Sequence, residues 1–161
     1  MAAAHLIHGF VGAGKTTFAK RLAAETGAIR LSMDEWYLGL YTDGEPTEAQ
    51  EPELLRRVAA MLDDLWPQLL ERGLDVVLDF GFWSRESRDA ARRRAVEAGG
   101  RAVVYLLECD DESTRRRIDQ RNEDPGCSFH LSSESIDFLR TRFEPLQGDE
   151  LPTAIVPPKS P

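Results

Sequence analysis

Gly9-Phe10-Val11-Gly12-Ala13-Gly14-Lys15-Thr16 fits the spacing G-x-x-x-x-G-K-[ST] at every fixed position. Glycines at these places let the backbone wrap a phosphate with its N–H groups turned inward, and a following helix adds positive potential. Lys15 would reach the β- and γ-phosphates of a nucleotide, and the Thr16 hydroxyl would serve Mg²⁺. Gly9, Gly12, Ala13, Gly14, Lys15, Thr16 and Thr17 form the candidate nucleotide-binding set. The match follows an apolar run, His5-Leu6-Ile7-His8, and opens a helix predicted from about Lys15 to Glu25, the setting such a loop requires. A glycine-rich turn capped by a surface lysine is the alternative.

Two acids stand at ends of predicted strands. Asp34 follows the weaker strand Ala28-Ile29-Arg30-Leu31, and Asp79 closes the β-branched run Asp75-Val76-Val77-Leu78. In an open α/β sheet, ligands gather at the carboxyl ends of the strands, so both acids are expected to face the phosphate loop. Asp79 is placed to stand near Mg²⁺, directly or through water. Asp34 is a candidate base, because a loose phosphoryl transfer asks more of positioning than of proton affinity. Turn-capping or solvated acids are the alternatives at both positions.

The elements that must position these groups alternate along the chain. A helical stripe runs through Leu55, Val58, Leu62, Leu65 and Leu69, interrupted at Pro67. Ser84 caps the next predicted helix, which runs to Gly99-Gly100; Arg101 to Leu107 is a buried strand. An arginine-rich helix opens at Asp111 or Ser113 and ends before Pro125-Gly126. Ser132 or Ser133 caps a helix to about Phe143, and Thr153-Ala154-Ile155-Val156 is a last strand. Residues 36–50 read as a loop excursion, and 157–161 as a tail. Alternating strands and helices predict an α/β sandwich about a mostly parallel sheet.

The 161 residues suit one domain, 1–161, able to bury a core without a disulfide. Cys109 and Cys127 sit in no metal or redox spacing and are expected to be free thiols. The formal charge of −8 disfavours a broad electrostatic footprint for nucleic acid or an anionic membrane. Lysine occurs only at Lys15, Lys20 and Lys159, so arginine carries nearly all the positive charge. No apolar run approaches the roughly 18 residues of a membrane span. The first residues lack a basic n-region and cleavage site, so a cytoplasmic location is expected.

Taken together, these residues resemble the small P-loop kinases of the AAA_33 type, relatives of zeta toxins, chloramphenicol phosphotransferase and the kinase domain of polynucleotide kinase. The resemblance rests on the phosphate loop, Asp34, Asp79, the arginine-rich segment 115–121 and Phe143-Glu144-Pro145. It implies a P-loop three-layer sandwich, with a five-stranded parallel sheet ordered 2-3-1-4-5 and a short helical lid at about 112–134. It further implies that Asp34 orients or deprotonates an acceptor hydroxyl, with Glu35 as the lesser candidate. Arg117 and Arg121, four apart on one helix face, match the lid pattern; either would neutralise the migrating phosphoryl group. Arg85 is expected to hold the acceptor or a phosphate, and Arg92-Arg93-Arg94 a solvated helix face.

Aromatic residues gather after both acids: Trp36, Tyr37 and Tyr41 after Asp34, and Phe82-Trp83 after Asp79. Their faces suit a sugar ring, a base or an aromatic antibiotic, or else simply seal the domain. Asp43, Glu45, Glu48 and Glu51 would favour a neutral or cationic acceptor over a polynucleotide. The reading is therefore an ATP- and Mg²⁺-dependent phosphotransferase acting on a small-molecule hydroxyl. A 5′-hydroxyl kinase on nucleosides or oligonucleotides and a non-catalytic or toxin-like nucleotide-binding regulator are the alternatives. The sequence leaves monomer and dimer both open.

Overall fold

The computed structural model describes residues 1–40, 51–123, 131–150 and 152–156, without the side chains of residues 121 and 133. Strand β1 (Ala3–His8) is buried at all six positions. Such continuous burial requires cover on both faces, as in the middle of a parallel sheet. After helix α1 (Lys15–Thr26) come β2 (Ile29–Ser32), α2 (Met33–Gly39) and α3 (Glu51–Glu71). Strand β3 (Val76–Asp79), α4 (Arg85–Glu97) and β4 (Arg101–Leu107) follow, then α5 (Asp111–Asn122), α6 (Ser133–Arg142) and β5 (Ala154–Val156). The sheet is ordered β2-β3-β1-β4-β5 and every pairing is parallel, the expected order. Its register sets Ser32 opposite Asp79, so the carboxyl ends of β2 and β3 reach one edge together.

Successive strand side chains point to opposite faces, and the core divides accordingly. Ala4, Leu6, Val76 and Leu78 meet Val58, Leu62, Trp66 and Leu70 of α3 and Ala91 and Ala95 of α4. Ile7, Val77 and Leu107 meet Ala19 and Leu22 of α1 on the other side. Three layers result. Fully burying a large apolar side chain stabilises by about 1.5–3 kcal/mol. That scale explains why α3 does not stop at Pro67 but continues to Glu71. Proline forfeits one backbone hydrogen bond there, while Trp66 and Leu70 on either side of it remain buried in the core.

Residues 36–39 differ from the expected loop: they belong to α2, whose N-cap Ser32 accepts from the Glu35 N–H at 3.4 Å. Ser-x-x-Glu is a capping pattern visible in the sequence. Helical spacing then sends neighbouring aromatics in different directions. Tyr37 is 2% exposed and packs in the core, whereas Trp36 is exposed. Tyr41, Asp43, Glu45, Glu48, Cys127 and the tail 157–161 lie outside the described residues. At the other end of the chain, Asn122 fastens α5 to the start of α6: its side-chain amide donates to the Leu131 carbonyl at 2.8 Å and accepts from the Leu131 N–H at 3.1 Å. Among the described residues, no helix is long and apolar enough to cross a membrane.

Candidate active site

The phosphate loop spans the gap between β1 and α1. Gly12 and Gly14 adopt φ of 79° and 85°, in the left-handed region that side chains avoid. A Cβ on Gly12 would also approach the Thr114 carbonyl oxygen at 3.1 Å. No side chain caps α1, and no acid occupies its first turn. Its N-terminal N–H groups and positive dipole end are thus left to an anionic ligand.

Three side chains surround this loop. The Lys15 ammonium donates to the Phe10 carbonyl at 2.9 Å and stands 5.8 Å over the Trp83 ring. The Trp83 indole N–H in turn donates to the Gly9 carbonyl at 3.2 Å. From α5, Arg117 Nη1 donates to the Gly12 carbonyl at 3.2 Å and lies 3.7 Å from Cys109 Sγ. Arg121 is on the same helix, but its side chain lies outside the described set.

A cleft of about 750 Å³ opens over the loop, lined by Lys15, Thr16, Thr17, Asp34, Asp79, Trp83 and Arg117 among others. Asp79 is buried, and Arg30 Nη1 donates to its Oδ2 at 3.1 Å. Burial pushes the Asp79 carboxyl up, the Thr16 hydroxyl bonded to it pulls it back, and Arg30 and Lys15 add to that pull. Asp34 opposes them as a nearby like charge, which ties the two acids electrostatically. Glu35, one residue on, is turned elsewhere: it bonds Arg30 and stands 3.2 Å from Lys20, and Arg30 holds its carboxyl below the usual range.

The donor set fits a nucleotide-bound magnesium. Thr16 and Asp79 are in contact, and among the described residues no group of three or more His, Cys, Asp or Glu could hold a metal. One carboxylate and one hydroxyl suit an ion that keeps waters and takes its other oxygens from phosphates.

Other expected residues are placed elsewhere. Arg85 does not line the cleft. Its N–H donates to Glu144 Oε2 at 2.7 Å, and its guanidinium bonds Gln147, Asp89 and Asp149. Tyr37 is a core residue, and neither it nor Trp36 lines the cleft. Arg92 and Arg94 are not simply solvated: Arg92 pairs with Asp89 and Glu150, and Arg94 with Asp63 at 2.5 Å. Arg88, fully buried, pairs with Glu150 through two 2.7 Å bonds and donates to the Phe82, Trp83 and Glu144 carbonyls. Sequence reasoning gave no role to Arg30 or Glu150, and nothing in the local sequence announces either.

The family model AAA_33, described as an AAA domain, matches residues 5–146. The chain belongs to this family. Among curated protein sequences, none matches the AAA_33 chain significantly. A sugar kinase from Janibacter sp. HTCC2649 has a TM-score of 0.65 at 18% identity, covering 100% of this chain and 88% of that one. Gluconokinase from Sinorhizobium meliloti 1021 gives 0.62 at 21%, covering 99% and 84%. Kti12 from Chaetomium thermophilum, in complex with ADP-AlF3, gives 0.67 at 18%, covering 96% and 87%. At such identities the likeness establishes the P-loop α/β fold.

One histidine beside the loop gives this AAA_33 protein a pH signature. His8, just before Gly9, is fully buried, stacks on Phe143 at 4.9 Å and has Nδ1 3.0 Å from the Phe82 carbonyl. Burial pushes its pKa down to about 4. An unfolded histidine titrates near 6.5, so between the two values the unfolded chain binds the extra proton and stability falls as pH falls. Urea unfolding should show this residue contributing a loss of about 2 kcal/mol between pH 7 and pH 5. His8→Leu should remove that share of the slope; a slope unchanged in the variant refutes the assignment. His5, also lowered by burial, keeps a smaller slope of the same sign.

Proposed function

We propose that the protein is a Mg²⁺- and ATP-dependent phosphotransferase acting on a hydroxyl group of a small molecule. The observation that carries this reading is one cleft lined at once by the phosphate loop, Asp34, Asp79 and Arg117. The nucleotide's phosphates lie against the loop N–H groups, with Lys15 on the β- and γ-phosphates. Thr16 and Asp79 would hold a magnesium ion, which would supply positive charge to the phosphates. Asp34 takes the acceptor's proton as the hydroxyl oxygen bonds the γ-phosphorus; the bond to the β–γ bridging oxygen breaks, and ADP departs with that electron pair. Arg117 stabilises the charge on the phosphoryl group in transit, leaving its present bond to Gly12 to do so. The kinases among the structural neighbours support the reaction class, and the fold relationship adds the arrangement of loop and strand ends.

The test is mass-spectrometric detection of an ATP-dependent product heavier by one HPO₃, across a panel of sugars, alcohols, nucleosides and antibiotics. A short 5′-hydroxyl oligonucleotide is included, and labelling there in place of small molecules would redirect the reading to a polynucleotide kinase. Asp34→Asn should lower kcat by about 10²–10⁴-fold, the usual worth of a positioned base, with nucleotide affinity changed only a few fold. If that variant loses nucleotide binding instead, Asp34 does not have the role given to it. Tight ATP binding with no acceptor-dependent turnover across the panel would favour a regulator.

A further inference from the structure

We infer that the acceptor is an alcohol carried on an apolar, ring-bearing body, and that this body occupies a second chamber between α3, α4 and α6. The inference rests on the phosphotransferase reading and names the class of its substrate. The chamber measures about 710 Å³, within the range of small-molecule sites. It shares Met33, Phe80, Trp83 and Leu139 with the phosphate cleft, so the two spaces meet along one wall. A hydroxyl at Asp34 therefore leaves the rest of its molecule only a short step from the chamber.

The walls determine what fits. Phe80, Trp83 and Phe138 contribute apolar ring surface, with the buried rings of Trp66 and Phe82 behind them and Ala59 and Ala90 leaving room between them. Polar groups are present, and most of them have partners within the protein. Asp63 accepts from the Trp66 indole N–H at 3.3 Å and pairs with Arg94. Ser84 accepts from the Ser87 N–H, and the Ser87 hydroxyl donates back to the Ser84 carbonyl at 2.7 Å. Thr141 donates to the Phe138 carbonyl at 2.7 Å, Glu144 accepts from the Arg85 N–H, and the Arg142 guanidinium lies 5.3 Å over the Phe138 ring. A polyhydroxylated chain entering here would give up water against the ring walls, whereas a ring would bury apolar surface against apolar surface. The ring walls favour a ring-bearing body over an open-chain polyol.

The test uses the full chain loaded with Mg²⁺ and a non-hydrolysable ATP analogue, with phenylethanol, cyclohexylmethanol, glycerol and gluconate as probes. Ligand-observed NMR should show both ring alcohols binding and the two polar compounds not binding. Ala90→Phe, which fills the chamber from α4, and Ala59→Phe, which fills it from α3, should each weaken ring-alcohol binding by roughly tenfold or more. Nucleotide affinity in the same samples reports whether each variant is folded. With ATP in place of the analogue, kcat/KM for the ring alcohols should exceed that for gluconate by about tenfold or more. Ring alcohols that do not bind the wild type, or that bind both filled variants as tightly, overturn the inference. Transfer to gluconate without ring-alcohol binding overturns it too, while leaving the phosphotransferase reading intact. Ring alcohols that bind in the chamber with no transfer to any alcohol sink that reading, and with it the acceptor role.

Discussion

Lys15→Met should lower kcat for phosphoryl transfer by about 10²–10³-fold, the usual loss when one preorganised charge partner is removed from a transition state. Methionine keeps an unbranched stem against the Trp83 ring but carries no charge and donates no hydrogen bond. In the structure the ammonium already points at the loop, held by the Phe10 carbonyl and the ring of Trp83. Little reorganisation is then needed when phosphate oxygens arrive, and preorganisation is what makes such a charge effective. The loss should appear mainly in kcat, because charge on the γ-phosphoryl oxygens redistributes in the loose transition state. Single-turnover rates beside calorimetric ATP affinity separate the two effects. A variant that keeps kcat within a few fold but melts earlier would mean that Lys15 serves only to brace Phe10.

The phosphate loop was legible because everything it needs lies within eight consecutive residues and the helix they open. The sheet was legible for a related reason: apolar β-branched runs separated by helical stripes restrict the connections available, and β4 spans Arg101–Leu107 as its residues suggest. Asp34 and Asp79 followed from strand ends, where the register now sets Ser32 beside Asp79. What remained hidden depends on partners far along the chain. Arg85 and Arg88 are three residues apart on one helix, and no local pattern tells which one is buried; their partners lie some 60 residues on, at Asp149 and Glu150. Arg30 bears on Asp79 only because β2 and β3 are adjacent. Tyr37 and Trp36 show a local error of another kind. Reading their segment as a loop discarded the 3.6-residue periodicity that separates a core face from an exposed one, although Ser32 and Glu35 carried a helix-start signal.

Arg88→Met should be the most destabilising change, by about 3 kcal/mol, because it takes two 2.7 Å bonds from the enclosed Glu150 carboxylate and leaves it only Arg92 and the Gln147 N–H, each at 3.2 Å. The pair is fully enclosed: Arg88 is 0% and Glu150 2% exposed. The guanidinium also donates to the carbonyls of Phe82, Trp83 and Glu144, so its loss removes a tie between two segments, although Phe82 keeps His8 Nδ1 and Trp83 keeps the Glu144 N–H. For a chain of this size such a loss lowers Tm by roughly 10 °C. Adding Glu150→Leu to Arg88→Met should restore at least part of that stability, since removing both charges leaves no enclosed carboxylate short of partners. The recovery distinguishes a buried ion pair from simple lost packing, which a second truncation would worsen. Consequences should also reach the cleft. The residues that Arg88 binds include Trp83, whose indole braces Gly9 and whose ring lies beneath Lys15. At temperatures where the double variant is folded, its kcat/KM should therefore fall, with Trp83 fluorescence shifted toward that of a solvent-exposed indole. An unaltered emission spectrum together with unaltered kcat/KM would confine Arg88 and Glu150 to stability and remove them from the positioning of the phosphate loop.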